Sequence, residues 1–238
     1  SFAYPEAGEN VLTDISFKAK KGQTIAVIGS TGSGKSTLIN LIPRYYDVTK
    51  GSVKVDGVDV RDMTQKELRD KLGYVPQKGV LFSGTIDSNI RYGKPEITDA
   101  QVKEAAEVAQ ATEFIDTKPE KYESPVSQGG TNVSGGQKQR LSIARAIAKD
   151  PEIFIFDDSF SALDFKTDSQ LRKALKEYTK DATTVIVAQR ISTILGADQI
   201  IVLDDGHMAG IGTHKELMAN CEVYQQIARS QLSEEELA

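Results

Sequence analysis

The chain has 238 residues, of which 39% are hydrophobic, and a formal net charge of −5 at pH 7. This length and composition suit one large α/β unit, or a core with an inserted lobe, and the negative charge gives no support for wide nucleic-acid binding. A single cysteine, Cys221, excludes an internal disulfide and suits a reducing cytosol. No apolar stretch approaches the about 18–20 residues that a membrane helix needs, and the first residues lack the pattern of a signal peptide.

The first informative segment is glycine-rich and follows an apolar run, residues 24–28, that predicts a buried strand. Residues 38–42 after it indicate the start of a helix. The segment matches the phosphate-loop pattern in full and comprises Gly29, Ser30, Thr31, Gly32, Ser33, Gly34, Lys35, Ser36 and Thr37. Its glycines let several backbone N–H groups point at one anion. We therefore predict that Lys35 reaches the β- and γ-phosphates of a nucleotide and that Ser36 ligates Mg²⁺.

Further along the chain, four Ser/Thr-x-x-Glu/Gln pairs have the capping-box spacing and predict helix starts. They are Thr64–Glu67, Thr98–Gln101, Ser134–Gln137 and Thr213–Glu216. The alanine-rich run from Ala100 to Ala111 predicts a helix. Apolar runs predict strands at residues 153–156, 185–188 and 200–203. The acidic run Glu234–Glu236 is expected to be solvated.

The apolar run at residues 153–156 ends in two carboxylates, Asp157 and Asp158. Such a run is typical of a parallel strand that is buried on both faces. Open α/β sheets place their ligands at the carboxyl ends of strands, so we expect Asp157 to hold Mg²⁺ through water. An acidic loop after a core strand is the alternative interpretation.

A second glycine segment, Ser134-Gly135-Gly136-Gln137, opens a predicted helix with one apolar stripe. Its glycines leave backbone N–H groups bare at the helix start, which predicts another anion site. One ATP has too few phosphate oxygens to need two such sites from one chain, and this indicates a partner. Local physics leaves an ordinary capped helix open as the alternative.

With these two segments in this order, the sequence resembles the nucleotide-binding domain of an ABC (ATP-binding cassette) transporter over nearly the whole chain. The resemblance implies an α/β fold with a P-loop NTPase core, a mostly parallel sheet, an antiparallel β subdomain near the N-terminus and an inserted helical subdomain. It assigns residues 1–76 and 149–238 to the core, and residues 77–148 to the helical subdomain that carries the signature segment. Residues 80–86 and 128–130 resemble exporter-type cassettes.

The resemblance also implies roles for single residues. Tyr4 takes the position of a ring that stacks on adenine, Gln77 that of the glutamine loop and Asp157 that of the metal aspartate. Asp164 ends the dimer-contact loop, and Gln189 occupies the histidine-loop position. The cofactors expected are ATP and Mg²⁺, with Ser36, Gln77 and Asp157 at the metal and Lys35, Gln77, Asp158 and Gln189 as catalytic candidates. The ATP-binding candidates are Tyr4, the nine residues from Gly29 to Thr37, Gln77, Ser134, Gly135, Gly136, Gln137 and Asp164.

Two departures from the family pattern concern catalysis. Asp158 stands where the family has a glutamate base, and its carboxylate falls short by about 1.5 Å, which forfeits much of a factor of about 10²–10⁴. Gln189 stands where the family has histidine. It can donate a hydrogen bond to a phosphate oxygen but cannot become a cation near neutral pH. Together these departures favour a degenerate, slowly hydrolysing site, and a working but slower site is the alternative.

Family members dimerise head to tail, with each ATP between one chain's phosphate loop and the other chain's signature segment. An intact signature beside a weakened base favours a different chain as the partner, as in heterodimeric exporters of the multidrug type. The chain starts at Ser1, close to the adenine-stacking segment, so we expect a transmembrane domain fused upstream. The cassette itself would be soluble and would lie on the cytoplasmic face of the cell membrane.

Three alternatives stay open at this stage. The chain could form a homodimeric exporter cassette with a working but slower site. It could be a sensor module that binds ATP without hydrolysing it. It could also be a soluble ATPase of DNA repair or translation, but such proteins carry a coiled-coil insertion or tandem cassettes, and the sequence has neither. The transported substrate is not encoded in these residues, because its contacts belong to the membrane part.

Overall fold

The structure, a computed structural model, describes residues 1–233 and divides the chain into two compact units. The first unit joins Ser1–Leu72 to the segment that begins at Thr183, and the second unit is Gly73–Ala182. The acidic run Glu234–Glu236 lies outside the described residues. The division expected from the sequence, with a helical insertion over residues 77–148, stays a prediction.

Strands and helices alternate along the described residues. The strands are β1 (Thr24–Gly29), β2 (Lys54–Val55), β3 (Val58–Asp59), β4 (Leu72–Val75), β5 (Gly84–Thr85), β6 (Pro125–Val126), β7 (Ile153–Asp157), β8 (Thr183–Val187), β9 (Gln199–Asp204) and β10 (His207–Gly212). The α-helices are α1 (Lys35–Asn40), α2 (Gln65–Asp70), α3 (Ile86–Ile90), α4 (Asp99–Val108), α5 (Thr112–Asp116), α6 (Gly135–Ala148), α7 (Phe165–Tyr178), α8 (His214–Asn220) and α9 (Glu222–Gln231). Short 3₁₀ helices are Val60–Asp62, Lys121–Glu123, Gln128–Gly130 and Ile191–Thr193.

The first unit is built on a sheet with strand order β10-β9-β1-β8. Strand β1 pairs in parallel with both β8 and β9, whereas β10 is antiparallel to β9. Ile25, Ala26 and Val27 of β1 are fully buried, as expected for a strand that is covered on both faces. Because β1, β8 and β9 run in one direction, their carboxyl ends meet at one edge, and the phosphate-loop segment and Gln189 follow strands at that edge.

Helices α8 and α9 cover the antiparallel side of this sheet, α8 against β10 and α9 against β9 and the turn at residues 191–193. Tyr224, Ala228 and Leu232 recur every four residues, the spacing of one helix face. All three are buried in a cluster with Ile191 and Ile194. The N-terminal part of this unit adds the antiparallel hairpin β2–β3 and an isolated bridge between Phe2 and Leu12.

In the second unit, β4 and β7 are neighbours and α6 packs against α3 and α4. The predicted apolar stripe of α6 is confirmed, because Leu141, Ile143, Ala144 and Ala148 are all buried. Strands β5 and β6 form a short antiparallel pair, so the residues between 77 and 148 are not helical throughout. Within the described part of the chain, no helix is long and apolar enough to span a bilayer.

Local signals in the sequence located most element boundaries. All four capping boxes are present, each with reciprocal side-chain and backbone hydrogen bonds. The predicted strand cores are confirmed, although β8 ends one residue before Ala188. The helix predicted up to Ala111 is wrong at its end: α4 stops at Val108, because Gln110 adopts a left-handed conformation with φ 56°.

Candidate functional site

The phosphate-loop segment forms a tight concave turn between β1 and α1. Gly32 and Gly34 have φ angles of 83° and 99°, a left-handed conformation that glycine adopts without steric cost. Backbone in this conformation turns successive N–H groups toward one side, which creates an anion-binding concavity. A side chain built at Gly32 would meet nothing within 4 Å, so the loop is open there. Ser30, Thr31 and Ser36 are exposed on it.

The ends of the loop are fixed by close packing. A Cβ atom at Gly29 would lie 2.2 Å from the carbonyl oxygen of Leu203, and one at Gly34 would lie 2.6 Å from Cδ2 of Leu12. The backbone N–H of Gly206 also donates to the carbonyl oxygen of Ser33 over 3.2 Å. The β9–β10 region and the N-terminal bridge therefore hold the loop in shape, and glycine is required at both ends.

Lys35 lies back over the loop. Its Nζ donates hydrogen bonds to the carbonyl oxygens of Gly29, at 2.8 Å, and Ser30, at 2.7 Å. The Ser33 hydroxyl is buried and has no hydrogen-bond partner among the described residues. A buried hydroxyl without a partner costs free energy, so a donor lysine and an unsatisfied hydroxyl in one concave loop fit an anionic oxygen ligand.

Tyr4 lies beside the phosphate loop. Its hydroxyl is 2.9 Å from Oγ1 of Thr37. The ring makes edge contacts with Phe2, at a centroid distance of 4.9 Å, and Tyr46, at 5.1 Å. Tyr46 is 40% exposed and was not singled out from the sequence, although its position in the Tyr45-Tyr46 pair after α1 is an aromatic signal. The first unit thus groups aromatic rings next to its candidate phosphate site.

Gln189 follows β8 at the same sheet edge as the phosphate loop. The preceding Ala188 N–H still bonds to the Val27 carbonyl over 3.1 Å, which continues the ladder by one residue. The Gln189 carbonyl oxygen accepts a hydrogen bond from Nε2 of Gln231 at 2.8 Å. Nothing in the local sequence predicts Gln231, because it lies 42 residues away.

The acidic pair lies in the second unit, where β7 ends. Asp157 is its last residue and is 8% exposed. Asp158 has φ 46°, a left-handed conformation that aspartate tolerates better than most residues. One of its oxygens, Oδ2, accepts a hydrogen bond from Nε2 of Gln77 at 3.2 Å. The structure therefore brings Gln77 to Asp158, and the assignment of Gln77, Asp157 and Asp158 to one site stays a prediction.

The segment around Gln77 is tied to helix α6. Nε2 of Gln139 donates to the Pro76 carbonyl oxygen over 3.0 Å. A Cβ atom at Gly79 would lie 2.8 Å from the backbone of Lys138, so only glycine permits this approach. Arg145 donates to the Val80 carbonyl oxygen over 2.9 Å. Sequence analysis missed Gln139 and Arg145, whose signal is a polar residue inside an apolar helical stripe.

Arg145 is the most perturbed cation of this unit. Burial lowers its pKa from 12.5 to about 10, because a low-dielectric environment disfavours the charged form. The guanidinium also donates to the carbonyl and side-chain oxygens of Asn89 and lies over the rings of Phe82 and Tyr92, at 5.2 and 5.5 Å from their centroids. These contacts retain the charge inside the unit.

The signature segment begins α6 as predicted. The Ser134 hydroxyl accepts from the Gln137 N–H at 3.2 Å, and the Gln137 side chain accepts from the Ser134 N–H at 3.1 Å. Ser134 and Gly135 are exposed, and a Cβ atom at Gly135 would meet nothing within 4 Å. The helix therefore presents an open N-terminus, as an anion site requires.

The predicted dimer-contact loop lies next to this helix start. A Cβ atom at Gly136 would be 3.5 Å from the Ala162 carbonyl oxygen. Asp164 caps α7 by accepting from the Thr167 N–H at 2.9 Å and its hydroxyl at 2.7 Å. These hydrogen bonds to the charged form hold the pKa of Asp164 below its usual value.

The residues present fit Mg²⁺ bound together with a nucleotide better than Mg²⁺ bound alone. Among residues 1–233, no group of three or more His, Cys, Asp or Glu side chains could hold a metal ion. Mg²⁺ prefers oxygen ligands and keeps several waters, and it is commonly bound by one or two protein groups plus substrate phosphates. Within the second unit, Gln77 and Asp157 carry oxygens of this kind, and Ser36 carries one in the first unit.

Three comparisons with known proteins show what the chain is similar to. The model of the family described as "ABC transporter" matches residues 12–161. An uncharacterized ABC transporter ATP-binding protein of Mycobacterium tuberculosis is 50% identical over 234 residues, which are 97% of this chain and 40% of that protein. A putative multidrug export ATP-binding/permease protein of Staphylococcus aureus is 46% identical over 227 residues, which are 95% of this chain and 39% of that protein.

The solved structure of a bacterial Atm1-family ABC exporter with ATP bound has a TM-score of 0.92 and 38% sequence identity. The match covers 98% of this chain and 41% of the exporter chain. The chain thus spans about two fifths of the length of the curated relatives that it matches. Both kinds of comparison agree on the P-loop NTPase fold with a mostly parallel sheet.

Proposed function

Because this chain belongs to the ABC transporter family, we propose that it is the cassette that powers a membrane exporter by binding and hydrolysing ATP. The ATP-binding domains of this family are ATPases, and the chain is an ATPase domain of this kind. The observation that carries the proposal is the phosphate loop, with Lys35 poised over its carbonyl oxygens and the buried Ser33 hydroxyl unsatisfied. Both are groups that a phosphate would engage.

The proposed ATP contacts follow from residue chemistry. The loop N–H groups and Lys35 would bind the β- and γ-phosphates, and Tyr4 would stack on the base. Bound Mg²⁺ would neutralise phosphate charge as the γ-phosphoryl group leaves. Ser36, Gln77 and Asp157 would hold it.

We propose further that this site hydrolyses ATP slowly. Asp158 is one methylene shorter than the glutamate base of the family, and its Oδ2 is engaged by Gln77. Gln189 can hold a γ-phosphate oxygen by a hydrogen bond but adds no positive charge near neutral pH. Positioned general bases contribute about 10²–10⁴-fold to rate, so a misplaced base alone would make turnover slow.

The signature segment points to a second cassette. Ser134 and Gly135 form an exposed, capped helix start, which supports binding of another chain's nucleotide in a head-to-tail dimer. Because this segment is intact and Asp158 is not the family base, the proposed partner is a different chain with a competent site. The Staphylococcus aureus relative is named as an ATP-binding/permease protein, which supports a membrane part fused upstream and a location at the cytoplasmic face of the membrane.

The binding step is tested with the 238-residue chain and a fluorescent ATP analogue in the presence of Mg²⁺. Lys35→Ala should weaken binding by at least about tenfold, because the cation at the phosphates is lost. Lys215→Ala, which removes an exposed lysine of α8, is the matched control and should bind as the wild type does. Equal affinities of the wild type and Lys35→Ala would refute phosphate binding at this loop.

The catalytic step is tested by measuring phosphate release by the chain alone and mixed with its cognate cassette. The proposal expects the mixture to be much faster. A lone chain as fast as any mixture would instead support a homodimeric cassette with a working site. No phosphate release over hours, even with the partner, would support a sensor that binds ATP without hydrolysing it.

A further inference from the structure

Helix α9 ends at Gln231, beside the segment that carries Gln189. The helix is held in place by its apolar face, because Tyr224 and Ala228 are fully buried and Leu232 is 9% exposed. These residues share a cluster with Ile191, which begins the short turn after Gln189. The carboxamide of Gln231 is therefore brought to the Gln189 segment by a packed helix.

The carboxamide of Gln231 makes two hydrogen bonds to that segment. Its Nε2 donates to the Gln189 carbonyl oxygen at 2.8 Å, and its Oε1 accepts from the Ile191 N–H at 2.8 Å. Residues 189 and 191 are two positions apart, which is the spacing at which one residue's N–H and C=O groups pair in a parallel ladder. The side-chain amide thus acts as a peptide group added to the backbone on both sides of Arg190. We call this pair of hydrogen bonds the amide clasp.

The amide clasp supplies a hydrogen-bond acceptor for the first N–H group of the 3₁₀ helix. The 3₁₀ helix at residues 191–193 has no side-chain cap from its own N-cap residue, Arg190. The first N–H groups of a helix lack partners within it, and the Ile191 N–H is satisfied by Gln231 instead. On the other side, the last ladder bond from β8 is the one between Ala188 and Val27. Gln231 therefore fixes the chain where the sheet stops fixing it.

We propose that Gln231 is a positioning residue for ATP, which holds residues 189–191 so that the Gln189 side chain meets the γ-phosphate. This inference rests on the proposed function, since it assumes that Gln189 contacts the γ-phosphate. Gln231 itself touches no nucleotide. The two contacts are linked: a γ-phosphate that binds Gln189 stabilises the clasped segment, and the clasp strengthens γ-phosphate binding by the same factor.

The role is separable from fold stability. Gln231 is exposed and borders an open cleft of about 260 Å³ that is also lined by Arg190, Ser192 and Leu232. A leucine, whose side chain is one heavy atom shorter than that of glutamine, fits this space without disturbing the buried face of α9. Substitution at position 231 therefore removes the clasp and leaves the apolar cluster intact.

The experiment compares Gln231→Leu, which removes both hydrogen bonds, with Gln231→Glu, which retains the acceptor for Ile191 and loses the donor. Gln226→Leu on the same helix is the matched control, because that side chain is exposed and its Nε2 donates to Oε1 of Glu222, at 3.4 Å, on the same helix. For each variant, amide hydrogen exchange at Ile191 reports the clasp. Affinities for a non-hydrolysable ATP analogue and for ADP report γ-phosphate recognition.

Gln231→Leu should lower the hydrogen-exchange protection of the Ile191 amide. It should also lower the affinity for the ATP analogue about three- to tenfold, the range expected for one or two lost hydrogen bonds. The affinity for ADP should not change, because ADP has no γ-phosphate. A general loss of stability would instead lower the affinities for both nucleotides. In both Ile191 protection and affinity for the ATP analogue, Gln231→Glu should fall between Gln231→Leu and the wild type. Gln226→Leu should match the wild type in both measurements. The ATP analogue, but not ADP, should raise Ile191 protection in the wild type.

Two results overturn the inference, and they are distinguishable. If the wild type prefers the analogue over ADP and Gln231→Leu retains the same preference, the positioning role is wrong while the proposed function stands. If the wild type binds neither nucleotide, the proposed function fails and the positioning role fails with it.

Discussion

The proposed weakness of this ATP site can be tested by restoring the two family residues, as Asp158→Glu together with Gln189→His. The glutamate extends the carboxylate by about 1.5 Å, and histidine restores a side chain that can carry a positive charge near neutral pH. We expect ATP hydrolysis at this site to rise at least tenfold, which corresponds to about 1.4 kcal/mol of transition-state stabilisation.

The structure sets the cost of this change. Asp158 has φ 46°, and glutamate lacks the short polar side chain that helps aspartate occupy this region. We expect a stability loss of less than about 1 kcal/mol from this strain. The hydrogen bond from Nε2 of Gln77 to Asp158, at 3.2 Å, must also adjust to the longer side chain. The variant should therefore be slightly less stable and yet faster.

Single-turnover phosphate release, with the chain in excess over ATP and with and without its cognate cassette, measures the effect at this site. Asp158→Asn is the matched control, because it conserves the side-chain shape, removes the base and should lower the rate further. If the double variant binds ATP normally and releases phosphate no faster than the wild type, the shortened base and the missing histidine are not the cause of slow turnover.

Three further predictions concern other parts of the chain. Gly29→Ala should abolish most ATP binding, since its Cβ would lie 2.2 Å from the Leu203 carbonyl oxygen. The Cβ of Gly32→Ala meets no atom within 4 Å, so this variant should only lose about 1–2 kcal/mol of stability to backbone strain, as measured by urea unfolding. Similar ATP affinities for the two variants would contradict this prediction. Arg145→Met should lower the free energy of unfolding by about 1–3 kcal/mol, because three hydrogen bonds, two of them partly buried, are lost, and an unchanged midpoint of chemical denaturation would show that water replaces the guanidinium. Burial raises the pKa of Tyr224 from 10.0 to about 12, so the folded state holds a proton that the unfolded state releases first, and stability should fall as the pH rises from about 10 to 12. Tyr224→Phe should lose less stability over that range than the wild type, by up to about 2 kcal/mol, and parallel pH profiles would refute the assignment.

The parts of the site that were predictable from the sequence depend on contacts between residues close in the chain. The phosphate loop needs glycines at fixed spacing before a helix, and a capping box joins residues three positions apart, so both are visible in the sequence. The Ser134 box and the Asp157 strand end were located in this way. The length of α4 was not, because the left-handed Gln110 that ends it has no marker of its own in the alanine-rich run.

Other features of the site, a backbone conformation and two long-range hydrogen bonds, could not be predicted from the sequence. The left-handed backbone at Asp158, which bears directly on its replacement by glutamate, became known only from the structure. The ties from Gln139 and Arg145 to the segment around Gln77 join residues more than 60 positions apart. No periodicity or spacing rule covers such pairs, because the partner is selected by how the elements pack.

By itself, the sequence located the phosphate loop, the strands and helices that flank each loop, and the two departures from the family pattern at Asp158 and Gln189. Each of these depends on residue chemistry and on backbone preferences within a few positions. Only the tertiary structure decided that α9 lies against β9, so that Gln231 reaches the Gln189 carbonyl oxygen across 42 residues of chain. The burial of Tyr224 and Ala228 fixes that approach, and hydrophobic burial is non-directional, so its outcome cannot be read from either segment alone.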